Sequence, residues 1–526
     1  MKSSILQTIA LIGAMGMAAC HKDLDRMPTN SNTAAVTYST IEGYRQVAAK
    51  VYASMALAGN NGINASDLAG IDPGQADFLR LYWNAQELPT EEAMCVWNDP
   101  GIPDFHNLNW TSSNALLTAL YNRCMFHVSI VNEFLRESTE AKLAERGFSG
   151  KEAEEIRLFK AEARFLRAYQ YWVLMDLFAN PPFVTEEDAV GKFVPEQTDR
   201  ATLFAFVESE LLAVEPLVKA ARTNEYARVD RGAVQALLAR LYLNAAVYLG
   251  EGNAKYGMAA EYAAKVIGSG YALKPVYREL FMADNHIGNT EVILPIAYDG
   301  VNTQNNGGTT FIINAAINGD MKPADFGVPG GGWGGNRATR ALPELFEDAS
   351  GATDKRAMFF GDKPEINDVA EFSEGLRVVK FRNKTSTGET PEAPGGAFCS
   401  VDFPLFRLAE QYLIYAEAVK RGGGGSEATA LGYLNLLRTR AYGDASGNIA
   451  TYNLDYILAE RGRELYWEAF RRTDLIRFGR FTASAYVWPW KGGVKDGKGA
   501  ETFRNIYPIP STDLTANPSL VQNNGY

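Results

Sequence analysis

The sequence of 526 residues is 46% hydrophobic and 21% charged, the balance of a folded globular protein. Its 51 Lys and Arg against 62 Asp and Glu leave a net charge of −11, which repels phosphate backbones and excludes nucleic acid as a partner. Length alone allows two or three domains, and beyond the N-terminal stretch no run of about 18 apolar residues marks a membrane-spanning helix.

Lys2 precedes an apolar run from Ile5 to Ala19. A run of roughly 15 residues ending in small ones is the secretory pattern, so residues 1–19 read as a signal peptide. Met17-Ala18-Ala19-Cys20 is similar to a bacterial lipobox, which predicts cleavage before Cys20 and acylation of its thiol and amino group. Several acyl chains on one residue anchor stably where one does not. His21 to Thr37 is polar, lacks an apolar period and reads as a flexible tether, with the folded part spanning 38–526. Cys95, Cys124 and Cys399 lie far apart without C-x-x-C spacing. Buried thiols are the simpler reading, with a Cys95–Cys124 bridge left open. His21, His106, His127 and His286 are scattered and give no zinc motif, and no cofactor is called for, with a structural calcium ion left open.

Helical periodicity begins at Thr40 and carries Val47, Val51, Tyr52 and Met55 on one face. The clearest later helix covers 161–178, where Phe165, Tyr169 and Trp172 and then Leu166, Val173 and Leu177 recur at three- and four-residue steps until Pro181-Pro182 stops it. Further helices are predicted at about 200–220, 231–249, 256–268, 404–420, 427–441 and 454–472. Ala-rich helices in pairs with aromatics between them look like tetratricopeptide-type hairpins, without a strict 34-residue register. The fold class is mainly α.

Between the helices run long stretches rich in Gly, Asn, Pro and aromatics: 59–76, 93–111, 299–336, 360–399 and 486–511. Loops beyond about 12–15 residues are usually functional, so binding is expected there. The run Gly330, Gly332, Gly335 matches G-x-G-x-x-G formally but lacks the preceding strand and following helix of a dinucleotide site, and reads as flexible turns presenting Trp333. The 62 acids offer many carboxylate pairs, and Glu87, Glu91 and Glu92 near Trp97 are the suspects for a glycosidase pair; solvated or capping acids are the simpler reading. Trp83, Trp97, Trp110, Trp333, Trp488 and Trp490 fall in predicted loops, whereas Trp172 and Trp467 fall in helices. A sugar ring has apolar C–H faces and a polar rim, so a flat aromatic beside Asn, Asp or Arg suits it; a single loop Trp is more often a plug over the core.

Several runs resemble the SusD/RagB family of outer-membrane lipoproteins: Glu162 to Ala168, Ala236 to Leu243, Phe406 to Ala418, Glu460 to Tyr466 with Arg471 to Arg477, and Tyr507 to Pro510 with Gln522 to Tyr526. Their Arg and Glu residues read as buried ties between helices. Glu87 to Glu92, Val266 to Ser269, Leu280 to Asn285 and Trp490 to Gly493 are similar to the starch-binding branch of that family. The resemblance implies four tetratricopeptide-like helix pairs supporting long loops and a few short strands. It also implies binding of a poly- or oligosaccharide, with starch specificity carried by an aromatic arc, and delivery to a SusC-like TonB-dependent transporter. Trp97 and Trp333 match the arc's tryptophans, Arg80 and Asp99 its polar ligands, and Asn306 stands where the arc has a tyrosine. A surface glycosidase using Glu91 or Glu92, and a binder of another glycan or of a peptide or glycoprotein, are the alternatives.

Overall fold

A computed structural model describes residues 33–60, 62–191, 194–393 and 396–526. The signal peptide and Cys20 lie outside the described residues. Of the predicted tether, Thr33 to Thr37 are described and are not tether-like: the Thr33 side chain caps a helical turn, Ala34–Thr37. The first core residue is Tyr38, whose ring meets Tyr44 edge-on at 5.0 Å.

Local chemistry starts most of the scaffold helices. A side-chain oxygen accepts from a first-turn N–H at Thr40 for α1 (Ile41–Ala56), Asp77 for α2 (Phe78–Glu87) and Asn114 for α3 (Ala115–Glu137). Helix α4 (Gly150–Phe178) ends two residues before Pro181-Pro182. Asp199 then caps α5 (Arg200–Val214) and Asp230 caps α6 (Arg231–Leu243), and α7 (Tyr256–Ile267) follows. After a long excursion come α8 (Gly308–Ala315), α9 (Leu408–Lys420), α10 (Glu427–Tyr442, capped by Ser426), α11 (Leu454–Leu465, capped by Asn453) and α12 (Arg471–Arg477). Helix α3 packs on α4, α4 on α5, α5 on α6, α6 on α7, α7 on α9, and α9 on both α10 and α11. This is the succession of helix pairs expected. Every residue of α6 from Gly232 to Leu243 and of α9 from Leu408 to Val419 is buried, which marks both as central helices rather than amphipathic surface ones.

Four expectations need correction. Trp83 lies in α2, fully buried, and not in a loop. The run 404–420 begins as a strand, Phe403–Arg407, which pairs antiparallel with Val292–Ile296 before α9 starts. The run 454–472 is two helices, α11 and α12, broken where Trp467 and Ala469 take φ near +64° and +63°, so Trp467 is not helical. The stretch 299–336 contains the buried helix α8. Two other short antiparallel pairs join Met94–Cys95 to Asn336–Arg337 and Phe359–Phe360 to Arg377–Val378. Cys95, Cys124 and Cys399 are free and buried, so the Cys95–Cys124 bridge does not form.

The Arg and Glu residues of the repeated runs do tie elements together inside the core. Arg240 of α6 reaches Glu410 of α9 at 2.7 Å, Arg477 reaches Glu417 at 2.7 Å, and Arg461 reaches Asp474 at 2.6 Å. Around Arg407 the carboxylates of Glu291, Glu464 and Glu468 lie at 2.6–3.0 Å. Charges this deep are tolerable because each guanidinium fork meets its carboxylates at hydrogen-bonding geometry.

Candidate functional site

Asp77 organises one end of the site. Its carboxylate caps α2 through the N–H groups of Leu79 and Arg80 and also accepts from Gly308 N, at the start of α8, so one side chain holds two helix N-termini together. A Cβ on Gly307 would collide with that carboxylate, and Gly308 takes φ +55° against the Tyr298 ring; the Asn305-Asn306-Gly307-Gly308 turn can exist only with its glycines. Burial raises Asp77 to about 6, partly offset by the N–H groups of Arg80 and Gly308.

Arg80, one turn into α2, is 7% exposed. Its Nη1 donates to the carbonyls of Gly74, at 2.6 Å, and Asn306, at 3.1 Å. Its guanidinium lies 4.4 Å from the Phe311 ring centroid and 5.7 Å from that of Trp97. Burial pulls Arg80 down to about 10, against the opposing charge of Asp77 first, so it stays protonated at neutral pH. Arg80 therefore acts as a strut between the Asn306 turn and Trp97 more than as an open donor. Asn306 is half-buried, with its Cβ against Gly74. Asp99 is exposed at the rim, and its carbonyl accepts from Ile102 N in the turn after Trp97.

Strand pairing brings the two tryptophans together. Met94 faces Arg337 and Cys95 faces Asn336, and Val96 N donates to Gly335 O at 2.9 Å, so continuing the register carries Trp97 to the Trp333–Gly335 turn. The N–H groups of Trp333, Gly334 and Gly335 donate to the carbonyls of Asn314, Ile317 and Ala315, satisfying the C-terminal end of α8. A Cβ on Gly332 would strike the Ile317 carbonyl, and one on Gly335 would lie 2.5 Å from the Trp97 ring. These glycines permit close approach and are not flexible turns; the dinucleotide motif has no counterpart here. Trp97 and Trp333, both half-buried, present ring centroids 6.5 Å apart at 43° to each other, with Phe311 6.2 Å behind Trp97. The two tilted rings, with Arg80 beside Trp97 and bonded to the Asn306 carbonyl, make one partly exposed aromatic pair that serves as a candidate platform.

The other tryptophans of predicted loops do not join it. Trp83 and Trp110 are fully buried, Trp488 is buried, and Trp490 donates its indole N–H to the Ile366 carbonyl at 2.9 Å. Glu87, Glu91 and Glu92 are 0–1% exposed and are neither solvated nor accessible. Glu91 accepts from Arg471 at 2.6 Å, Glu92 from Trp467 N at 3.1 Å and Glu87 from Ala469 N at 2.6 Å. Burial pushes Glu87 well up, the neighbouring Glu92 charge adding to it, and pushes Glu92 to about 7 against the opposing charge of Arg471. Among the described residues no group of three or more His, Cys, Asp or Glu is arranged to hold a metal ion, and no helix is long and apolar enough to cross a membrane. A cavity of about 690 Å³ lies apart from the platform, between α1, the turn 225–228 and the strand Val292–Ile296, with alanine-rich walls. It lacks the paired flat rings that make the tryptophan platform distinctive. Sequence reading did not find Phe311; Phe311-Ile312-Ile313 after a Gly-Gly pair was the available signal for a buried helix.

A profile described as the SusD family matches residues 359–526, and one described as starch-binding associating with outer membrane matches residues 82–243. The starch-binding protein SusD of Bacteroides thetaiotaomicron is 34% identical over 570 aligned positions, covering 99% of this chain and 98% of that protein. Among solved structures, a SusD superfamily protein from Parabacteroides distasonis superposes with TM-score 0.70 at 19% identity, over 92% of this chain and 99% of that one. The surface glycan-binding protein A of Bacteroides thetaiotaomicron, solved in complex with laminarihexaose, superposes with TM-score 0.68 at 19% identity, over 92% and 99% of the two chains.

Proposed function

The chain belongs to the SusD family, and from that premise we propose that it is a non-catalytic surface protein that holds a neutral polysaccharide, an α-glucan of the starch type, and passes it to a SusC-like TonB-dependent transporter in the outer membrane. In this reading a single domain, 38–526, carries the site, and acylated Cys20 anchors it to the membrane. Trp97 and Trp333 are the stacking surfaces, Asp99 and Asn306 offer polar contacts, and Arg80 positions Trp97.

The observation that carries the reading is the pair of half-exposed rings at 6.5 Å, held by strand pairing between segments more than 200 residues apart. A tilted pair suits the curved face of an α-glucan, each ring meeting the C–H face of a sugar. The choice of α-glucan draws on the 34% identity to a protein named for starch binding. A glycosidase using Glu91 or Glu92 is disfavoured by their burial and by the arginine and backbone groups that occupy them.

Purified protein is therefore expected to bind soluble starch in a panel that also contains laminarin and dextran, and to release no reducing ends from any of them. Failure to bind any neutral glycan would overturn the function. Steady release of reducing ends, abolished by Glu91→Gln or Glu92→Gln, would overturn the non-catalytic assignment.

A further inference from the structure

Asn306 leaves the platform without a ring on its Arg80 side, yet another aromatic stands beside Trp333. The Phe372 ring lies against Gly334: a Cβ built there would sit 3.7 Å from Phe372 Cγ and Cδ1. Trp97 lies against Gly335 in the same way, so two rings flank the turn that carries Trp333. Phe372 is half-buried between exposed Glu371 and Ser373, an apolar ring kept at the surface of a polar turn.

That turn is pinned. Arg377 Nη1 donates to the carbonyls of Ser373, at 3.2 Å, and Gly375, at 3.4 Å, and its guanidinium lies 5.9 Å from the Phe372 ring centroid. The Glu374 carboxylate accepts from the N–H groups of Asn367 and Asp368 at 2.6 and 2.8 Å. Asn318 touches the same glycine, with its Cβ 3.2 Å from the position a Gly334 Cβ would take, and the Asp320 carboxylate, 53% exposed, reaches Arg377 at 3.4 Å. A flat ring fixed beforehand, with the polar residues Asn318 and Asp320 around the same Gly334 and Arg377 neighbours, is what a further sugar residue requires, and a pre-ordered ring loses little entropy on binding.

We propose that Phe372, with Asn318 and Asp320, forms an additional subsite for a neutral glycan, engaged only by chains long enough to extend past Trp333. The proposal rests on the reading of Trp97 and Trp333 as the primary platform. Calorimetric titration of the full protein with maltotriose and with maltoheptaose tests it, with thermal melts on the same samples. Phe372→Ala and Phe372→Leu are both expected to weaken maltoheptaose about fivefold and to leave maltotriose within about twofold, while Phe372→Tyr keeps the parent's affinity. Unchanged maltoheptaose affinity in Phe372→Ala, equal losses on both oligomers, or rescue by Phe372→Leu would each overturn the subsite, the last two because Phe372 would then only prop the Trp333 turn. A parent protein that binds neither oligomer would instead remove the platform reading on which the proposal stands.

Discussion

Trp97→Ala and Trp333→Ala are each expected to cost on the order of 2 kcal/mol in α-glucan affinity, as truncation of a central aromatic anchor does. Each ring is only partly covered: Trp97 lies against Gly335 and near Phe311, and Trp333 sits in a turn bonded to the end of α8. Because both are only half-buried, the melting temperature should fall much less than for a buried ring. Trp83→Ala supplies the contrast. That side chain is fully buried and its indole N–H donates to the Trp467 carbonyl at 3.2 Å, so its loss should cost about 3–5 kcal/mol of folding stability. Calorimetry and thermal melts on the three variants separate the two patterns. Trp97→Ala that destabilises like Trp83→Ala and leaves affinity intact would make Trp97 a core plug.

Arg407→Ala is expected to be among the most damaging single changes to stability, at about 3–5 kcal/mol, because it removes one counter-charge from each of three buried carboxylates that Arg440, Arg356 and Lys380 then balance only in part. Arg407 donates to Glu468 at 2.6 and 2.7 Å, to Glu464 at 2.6 Å and to Glu291 at 3.0 Å, and all of these carboxylates are buried. Burial alone would raise Glu464, but Arg440, Arg407 and Arg356 together hold it far below the ordinary 4.5. Burial likewise opposes ionisation of Glu460, which Arg356, Arg463 and Arg438 hold down to about 2. A depressed carboxyl contributes stability that is present above its unfolded value and lost as pH falls through the folded one. Without Arg407 the folded value of Glu464 rises, so the variant's deficit should be full at neutral pH and narrow only as pH falls from there through the variant's folded value toward the parent's, which lies far below 4.5. Denaturant melts across that range check the trend. A deficit independent of pH would assign the loss to packing and not to charge.

The sequence carried the scaffold wherever apolar period and a capping residue coincided, as in α1, α5 and α6. It misled at two elements that are buried on all sides, although α6, buried from Gly232 onward, was legible through its Asp230 cap and Ala- and Leu-rich run. Helix α2 is buried at every position although Arg80, Asn84 and Glu87 recur at helical spacing, and in a run of only 10 residues Trp83 looked like a loop residue. The run Phe403 to Arg407 is buried throughout as a strand and enters α9 without a turn residue, so its type could not be read from period. The break after α11 has neither Gly nor Pro. It exists because Glu92 and Glu87, distant in sequence, accept from Trp467 N and Ala469 N at the two left-handed positions. The pairing of Trp97 with Trp333 came from family resemblance and not from spacing, since it depends on a two-residue strand match. Phe311 was marked only by the apolar run that follows Gly307-Gly308, and Phe372 had no local mark, being a lone ring among polar neighbours.

A crystal structure of the protein with maltoheptaose tests the central claim most directly. The account expects consecutive glucose rings over the exposed faces of Trp97 and Trp333, with Asp99 or Asn306 within hydrogen-bond reach of their hydroxyls. Well-ordered sugar in the 690 Å³ cavity beside α1, with the tryptophan faces bare, would contradict it.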